Sequence, residues 1–431
     1  MPELSAGDTA WILTSAALVL IMTPGLAFFY GGMVRAKAVL NMLMMCFICL
    51  AIVPILWVLY GYSVAYDESV GGLFGGFSLA GLTDLGPDSL ADTIPVYADV
   101  AFQAMFAIIT VALIAGAITE RATFRGWAMF VVFWASLVYF PVAHWVWGGG
   151  WIEEIGAIDF AGGTAVHINA GAAALALALV LGPRRGWKRD PIKPHNLPFV
   201  LLGAALLWFG WFGFNAGSAY AADGLASSAF VNTIVATSAA ILGWLAVDVI
   251  RNKHTTALGA ASGAIAGLVA ITPAAGFVSP VGAIALGFIA GPISALAVGL
   301  KYKLGYDDSL DVVAVHLVAG LVGTVLIALF ANETFTGDPE LRGLFYGGGL
   351  SLLGPQTLAA VGTMVYSFVI AFILGTLINR TIGFRVSEDD EVGGIDLAAH
   401  AESAYEFTPA AGPSGGTHAA APAAKERSVQ A

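Results

Sequence analysis

Charge is scarce in this chain. Of its 431 residues only 11% are Asp, Glu, Lys or Arg, against roughly 25% in an average soluble domain. That excludes most soluble folds, whose solvated surfaces need ionic side chains. Basic residues are fewer still, 18 against 29 acidic ones, for a net charge of −11. A nucleic-acid partner is therefore excluded, because phosphate binding needs a basic face. Cysteine is almost absent: Cys46 and Cys49 are the two, too few for a disulfide framework or a zinc site. Their C-x-x-C lies inside an apolar stretch and reads as small buried packing residues. Histidine is also rare, with seven in the chain.

Apolar length is abundant instead. Hydrophobic residues make up 58% of the sequence, and a span of ~20 of them crosses the ~30 Å hydrocarbon core of a bilayer. Runs bounded by charge or by Gly/Pro clusters predict eleven helices, near 9–32, 38–65, 96–118, 126–147, 163–182, 197–221, 228–250, 257–275, 280–300, 312–331 and 356–379. They are too long and continuous for barrel strands, so the expected fold class is an all-α membrane protein. No cleavable leader is expected, because residues 1–9 hold Glu3 and Asp8 and no Lys or Arg.

The basic residues set the expected sidedness. Arg35, Lys37, Arg121, Arg125, Arg184, Arg185, Lys188, Arg189, Lys193, Arg251, Lys253, Lys301, Lys303, Arg380, Arg385, Lys425 and Arg427 all follow odd-numbered spans, and only Arg342 follows an even one. Cytoplasmic loops carry such an excess, which predicts an N-terminus outside, a C-terminus inside and a multi-pass protein of the plasma (bacterial inner) membrane.

A short repeat divides the spans. Ala165-Val166-His167-Ile168-Asn169-Ala170-Gly171 and Ala314-Val315-His316-Leu317-Val318-Ala319-Gly320 both read A-V-H-x-x-A-G, five spans apart. An odd separation makes the two helices cross in opposite directions, so eleven spans parse as a 5+5 inverted repeat plus one. His195, His254, His400 and His418 fall in inner loops or the tail, which leaves His144, His167 and His316 in the spans.

An ionisable side chain at membrane depth points to function. Two histidines related by an inverted repeat can meet at its axis, where one ring donates to the other and the pair shares a proton. On the outer side the spans supply Phe102, Phe106, Trp147, Phe214 and Ser218, aromatic faces and a hydroxyl suited to a small cation. No carbonyl filter sequence is present to carry an intact ion. A cation that sheds its proton before a greasy passage fits this set, and ammonium/ammonia is the expected pair.

The strings TPGLAFFYGGMVR (23–35), PVAHWVWGGGW (141–151), IDFAGGTAVHINAG (158–171) and KPHNLPFVLLGAALLWFGWFGFNAGSA (193–219) resemble the ammonium transporter (Amt/Mep/Rh) family, bacterial Amt branch, over about 9–407. The resemblance implies a homotrimer with one pore per subunit, no cofactor and no enzymatic activity. It implies that Phe106 and Phe214 are a stacked gate, and that Phe102, Phe106, Trp147 and Ser218 recruit ammonium or its analogue methylammonium. His167 and His316 would be the pore pair, with Thr272 beside the path. Asp159 would be structural or assist deprotonation, and its place at a helix start also suits an N-terminal cap. Residues 1–383 would be the membrane domain and 384–407 a cytoplasmic regulatory segment, with the inner face a docking site for a PII-class protein. The Ala/Pro/Gly-rich 408–431 is expected to be disordered. Three other readings stay open at this point: an Rh-type channel for neutral NH₃ or CO₂, an ammonium sensor, and an intramembrane metalloenzyme built on His167, His316 and Asp159.

Overall fold

A computed structural model of the chain describes residues 3–405 apart from residue 191. The tail at 408–431 lies outside the described residues. Eleven helices carry the fold: α1 (Ala6–Met33), α2 (Ala36–Tyr66), α3 (Val96–Ile118), α4 (Phe124–Glu154), α5 (Gly163–Leu181), α6 (Leu197–Gly217), α7 (Gly224–Asn252), α8 (Ala257–Ile271), α9 (Pro280–Leu304), α10 (Val313–Phe330) and α11 (Leu353–Thr381). Two small hairpins, Ser69–Val70 with Phe74–Gly75 and Leu90–Ala91 with Ile94–Pro95, occupy the loop between α2 and α3.

Ten of these helices are long and apolar enough to cross a bilayer, whereas α8 has 15 residues. The sequence places that span at 257–275, so the helix stops early. Pro273 has no amide hydrogen to continue the ladder. Beyond it the chain turns, and Asn232 Nδ2 secures the turn by donating to the carbonyls of Ala275 and Val278, 2.8 Å each.

Helix starts are set by short polar side chains that accept from free amides: Ser5 at α1, Thr123 at α4, Asn196 at α6, Asp223 at α7, Thr256 at α8 and Ser279 at α9. Packing inside the apolar layer relies on close backbone approach at small residues. A Cβ added at Gly203 of α6 would sit 2.2 Å from the Phe29 amide of α1, and one at Gly287 of α9 would sit 2.1 Å from the Ala236 carbonyl of α7.

Four π turns interrupt the ladders: Trp57–Gly61 in α2, Ala135–Tyr139 in α4, Gly163–Ile168 opening α5 and Val313–Val318 opening α10. Each such turn widens the helix and re-aims the side chains on it, and π turns gather at functional sites. Both A-V-H motifs fall in one.

The loops opposite the hairpins bury charge. Arg184 donates to Asp307 through Nε and Nη2, 2.9 Å each, and to Glu120 through Nη1 at 3.0 Å. Arg35 pairs with the same glutamate at 3.1 Å. Arg121, fully buried, donates to the Asp307 carbonyl at 2.6 Å and to Ser309 Oγ at 2.7 Å. Burial alone would raise the Glu120 and Asp307 carboxyls, but the Arg184 guanidinium between them, with Arg35 or Arg121 beside it, holds both below their usual range. Burial lowers Arg121 to about 10, and burial with Asp311 nearby pushes Asp308 up to about 6.

The segment after α11 packs on these loops. Arg385 donates to the Leu181 carbonyl at 2.6 Å and pairs with Glu391 at 2.8 Å, while Glu391 also accepts from the Arg185 amide at 2.6 Å. Asp396 accepts from the amides of Leu40 and Asn41 at 3.0 and 2.8 Å, which caps α2 with a side chain more than 350 residues away.

Candidate functional site

A cavity of about 530 Å³ opens among the ends of α2, α3, α4 and α6. Phe106, Trp147, Ser218, Asp99, Gln103, Asp159 and Tyr220 are among its lining residues. Its floor is aromatic. Phe106 and Phe214 stack with ring centroids 4.1 Å apart and planes 26° from parallel, and Trp147 meets Phe106 edge-on at 6.2 Å. Ser218, the residue that ends α6, donates its hydroxyl proton to the Phe214 carbonyl at 2.8 Å. Its lone pairs are left to accept. Phe102 does not line the cavity. It is fully buried and braces Phe106 edge-on at 4.9 Å.

Below the stacked phenylalanines sit the two histidines. His167 Nδ1 and His316 Nδ1 are 3.4 Å apart, and the rings lie 28° from parallel. Both side chains are buried, and His167 Nε2 has no hydrogen-bond partner among the described residues. With the two Nδ1 atoms engaged on each other, one must carry the proton and the other a lone pair. Their Nε2 atoms then differ in kind, one acceptor and one donor. His144, the third histidine of the spans, is elsewhere: its nitrogens lie 3.0 Å from the Ala65 carbonyl and 2.8 Å from Ser69 Oγ, so its needs are met locally.

The structure adds a residue that sequence reasoning did not single out. Trp211 stacks on His167 at 5.4 Å and lies 5.4 Å from Phe214, and its indole donates to Thr272 Oγ1 at 2.8 Å. Trp211 precedes Phe214 by three residues, a spacing that shares one helix face. That spacing in G-W-F-G-F was the available signal. Thr272 gives its own proton to the Leu268 carbonyl at 2.7 Å, so the hydroxyl holds the indole ring that backs the histidine.

Asp159 occupies the start of α5. Its carboxylate accepts from the amides of Gly162, Gly163 and Thr164 at 2.7–2.8 Å and of Ala165 at 3.3 Å, a full cap of the helix end. Gly162 turns these amides inward at a φ of 111°, in the left-handed region that suits glycine. The Asp159 main-chain carbonyl receives the Trp147 indole proton at 2.9 Å. One loop thus ties the cavity wall to the helix that bears His167. Among the described residues no group of three or more His, Cys, Asp or Glu is arranged to hold a metal ion.

The profile of the Ammonium Transporter Family matches residues 10–405. An ammonium transporter of Mycobacterium bovis is 55% identical over 436 residues, covering 94% of this chain and 91% of the relative. The crystal structure of Candida albicans Mep2 superposes with a TM-score of 0.84 at 35% identity, covering 90% of this chain and 88% of that one. A protein described as a sensor Amt protein superposes with a TM-score of 0.85 at 29% identity, covering 91% and 98%. With the apolar helices, these likenesses make the chain a multi-pass integral membrane protein that belongs to the ammonium transporter family.

Proposed function

We propose that this protein recruits ammonium in the cavity above Phe106, where its proton passes either to water in that cavity or onward through the histidine pair, and conducts NH₃ between Phe106 and Phe214 and past His167 and His316. The observation that carries the reading is the 3.4 Å contact of two buried imidazoles beneath a stacked aromatic floor. Moving a bare charge into such surroundings costs tens of kcal/mol by simple solvation arguments, while an aromatic face returns about 2 kcal/mol to a desolvated cation. Cation–π contact with Phe106 and Trp147 and acceptance by Ser218 can therefore hold ammonium at the entrance but cannot carry it through. Deprotonation removes the cost. The neutral molecule then meets one Nε2 that accepts and one that donates, both of which NH₃ can satisfy. Asp159 acts as the cap that keeps Trp147 and His167 in register, and Thr272 as the support of Trp211.

The topology that accompanies this reading is a 5+5 inverted repeat plus α11, with α8 as the short member, the N-terminus outside and the C-terminus inside. The protein works in the plasma membrane as a homotrimer among lipids, one conduit per subunit. Its 384–405 segment regulates from the inner face, where a PII-class protein docks.

Radiolabelled methylammonium uptake into liposomes holding purified protein alone, across a pH series, tests the function. The expected outcome is saturable uptake that persists where almost all the amine is protonated. Uptake that merely tracks the neutral amine would favour a gas channel of the Rh type, and no uptake would favour a sensor, the class of the 29% identical neighbour.

A further inference from the structure

The cavity holds a polar network apart from the aromatics and Ser218. Asp99, Phe102, Gln103 and Phe106 fall at i, i+3, i+4 and i+7 of α3, one face of the helix. Asp99 is buried, and each carboxylate oxygen accepts a tyrosine proton: Oδ2 from Tyr62 at 2.7 Å and Oδ1 from Tyr220 at 2.8 Å. No ion pair involves Asp99 among the described residues. The cavity lining includes Asp92, Asp99, Glu153 and Asp159 and no Lys or Arg.

Tyr220 settles the orientation of its neighbour. A phenol has one proton, and here it goes to the carboxylate. The second contact of that oxygen, 2.6 Å to the Gln103 amide, must then be an N–H donated by Gln103. This fixes which way round the amide sits. Its other end, Oε1, is buried and has no hydrogen-bond partner among the described residues, although Gln103 is 94% buried and lines the cavity. An unmet buried carbonyl oxygen costs about 1–3 kcal/mol, and a donor arriving in the cavity removes that cost.

We propose that Gln103 Oε1 is a second acceptor, beside Ser218 Oγ, for a small monocation bearing several N–H groups, and that Asp99 acts through Tyr220 to hold it so. The inference rests on the reading that this cavity receives ammonium. Gln103 binds the cation. Asp99 and Tyr220 are positioning residues, and the Asp99 charge adds attraction that no basic neighbour cancels. Two directed acceptors and an aromatic floor suit the divergent N–H bonds of ammonium or methylammonium better than a spherical alkali ion, which needs a closed shell of oxygens.

The test is the concentration dependence of methylammonium uptake in liposomes for the wild type and for Gln103→Met, Asp99→Asn and Tyr220→Phe. Gln103→Met keeps the side-chain length and removes the acceptor, and it should raise the half-saturating concentration roughly tenfold. Asp99→Asn should raise it by a similar factor and flatten its dependence on ionic strength, since a fixed charge is lost. Tyr220→Phe frees the amide to turn and should raise it by roughly threefold. In each case the effect falls on half-saturation rather than on the maximal rate, which a merely loosened fold would not produce. Wild-type uptake with an unchanged half-saturating concentration in both Gln103→Met and Tyr220→Phe would overturn the proposal and leave transport standing. Absence of wild-type uptake would instead overturn the transport reading beneath it.

Discussion

In the loops opposite the hairpins Glu120, Arg121, Arg184 and Asp307 are buried against one another, with the half-buried Arg35 at their edge; below the cavity, Phe106, Phe214, Trp211, His167 and His316 form a buried stack with no ion pair among them. Both regions are largely buried, yet they treat charge in opposite ways. The charged cluster offsets desolvation by pairing each carboxylate with at least one guanidinium, and its reward is four loops held in one arrangement, with the segment after α11 packed on them. The stack avoids the problem by carrying none. In the proposed function, charge is buried where nothing passes and withheld along the path of the cargo. A conduit lined by fixed ion pairs would bind its cargo or reject it, whereas one lined by rings and imidazoles can only exclude what stays charged.

The sharpest way to break the contrast is to remove the imidazoles. His167→Ala or His316→Ala should lower methylammonium uptake roughly tenfold or more, the scale of a lost hydrogen bond in a dry site. The vacated space should also admit water, and potassium with it, read as rubidium uptake. Unchanged rate and selectivity in both variants would remove the histidines from the account. In the charged loop cluster, Arg184→Met removes the guanidinium that two buried carboxylates share, leaving Glu120 to Arg35 and Asp307 to the more distant Arg121, and should cost about 3–5 kcal/mol of stability. The check is a lowered melting temperature of the purified protein, with rescue by a second change, Asp307→Asn or Glu120→Gln.

Acid separates the loop carboxyls by sign. Asp308 titrates at about 6 in the folded chain against an ordinary 3.8, so the folded state binds the extra proton between those values. Its contribution to stability therefore grows as pH falls through 6 and is complete below 3.8. Glu120 and Asp307, held below their ordinary range by Arg184, contribute stability that is present above that range and lost as pH falls through their lower folded values. The melting temperature should accordingly rise from pH 7 towards pH 4 and fall below it. Asp308→Asn should abolish the rise and keep the fall. The smallest effect expected is at the tail: Asp396→Ala removes the cap on α2 and should cost about 1 kcal/mol, visible as faster proteolysis of 384–405 with no change in purified-protein uptake.

Much of this was legible in the sequence for a plain reason. A bilayer imposes a length and a composition on each helix, so ten of the eleven expected spans fall on helices long and apolar enough to cross one. The A-V-H repeat pointed to two histidines, the spans to Phe102, Phe106, Trp147, Phe214 and Ser218, and the resemblance to Thr272 and Asp159, whose separate contacts are now described. The eighth span was overrun because an apolar run through Pro273 looks continuous to hydropathy while its backbone lacks a donor. His144 shares the spans with the other two histidines and only the repeat set it apart, since nothing in its own span announces the Ala65 carbonyl and Ser69 hydroxyl that satisfy it. The role of Trp211, the amide orientation of Gln103 and the Glu120–Arg184–Asp307 cluster were hidden for a common cause. Each depends on partners 61 to 123 residues away, and composition and periodicity report only on neighbours along the chain.

The central claim is that the cargo crosses the histidine region without its charge. The most direct measurement is paired uptake of radiolabelled methylammonium and rubidium into liposomes holding the purified protein. The account predicts saturable methylammonium entry with no rubidium entry above protein-free liposomes. Rubidium entry at a rate comparable to methylammonium, in the unaltered protein, would contradict it.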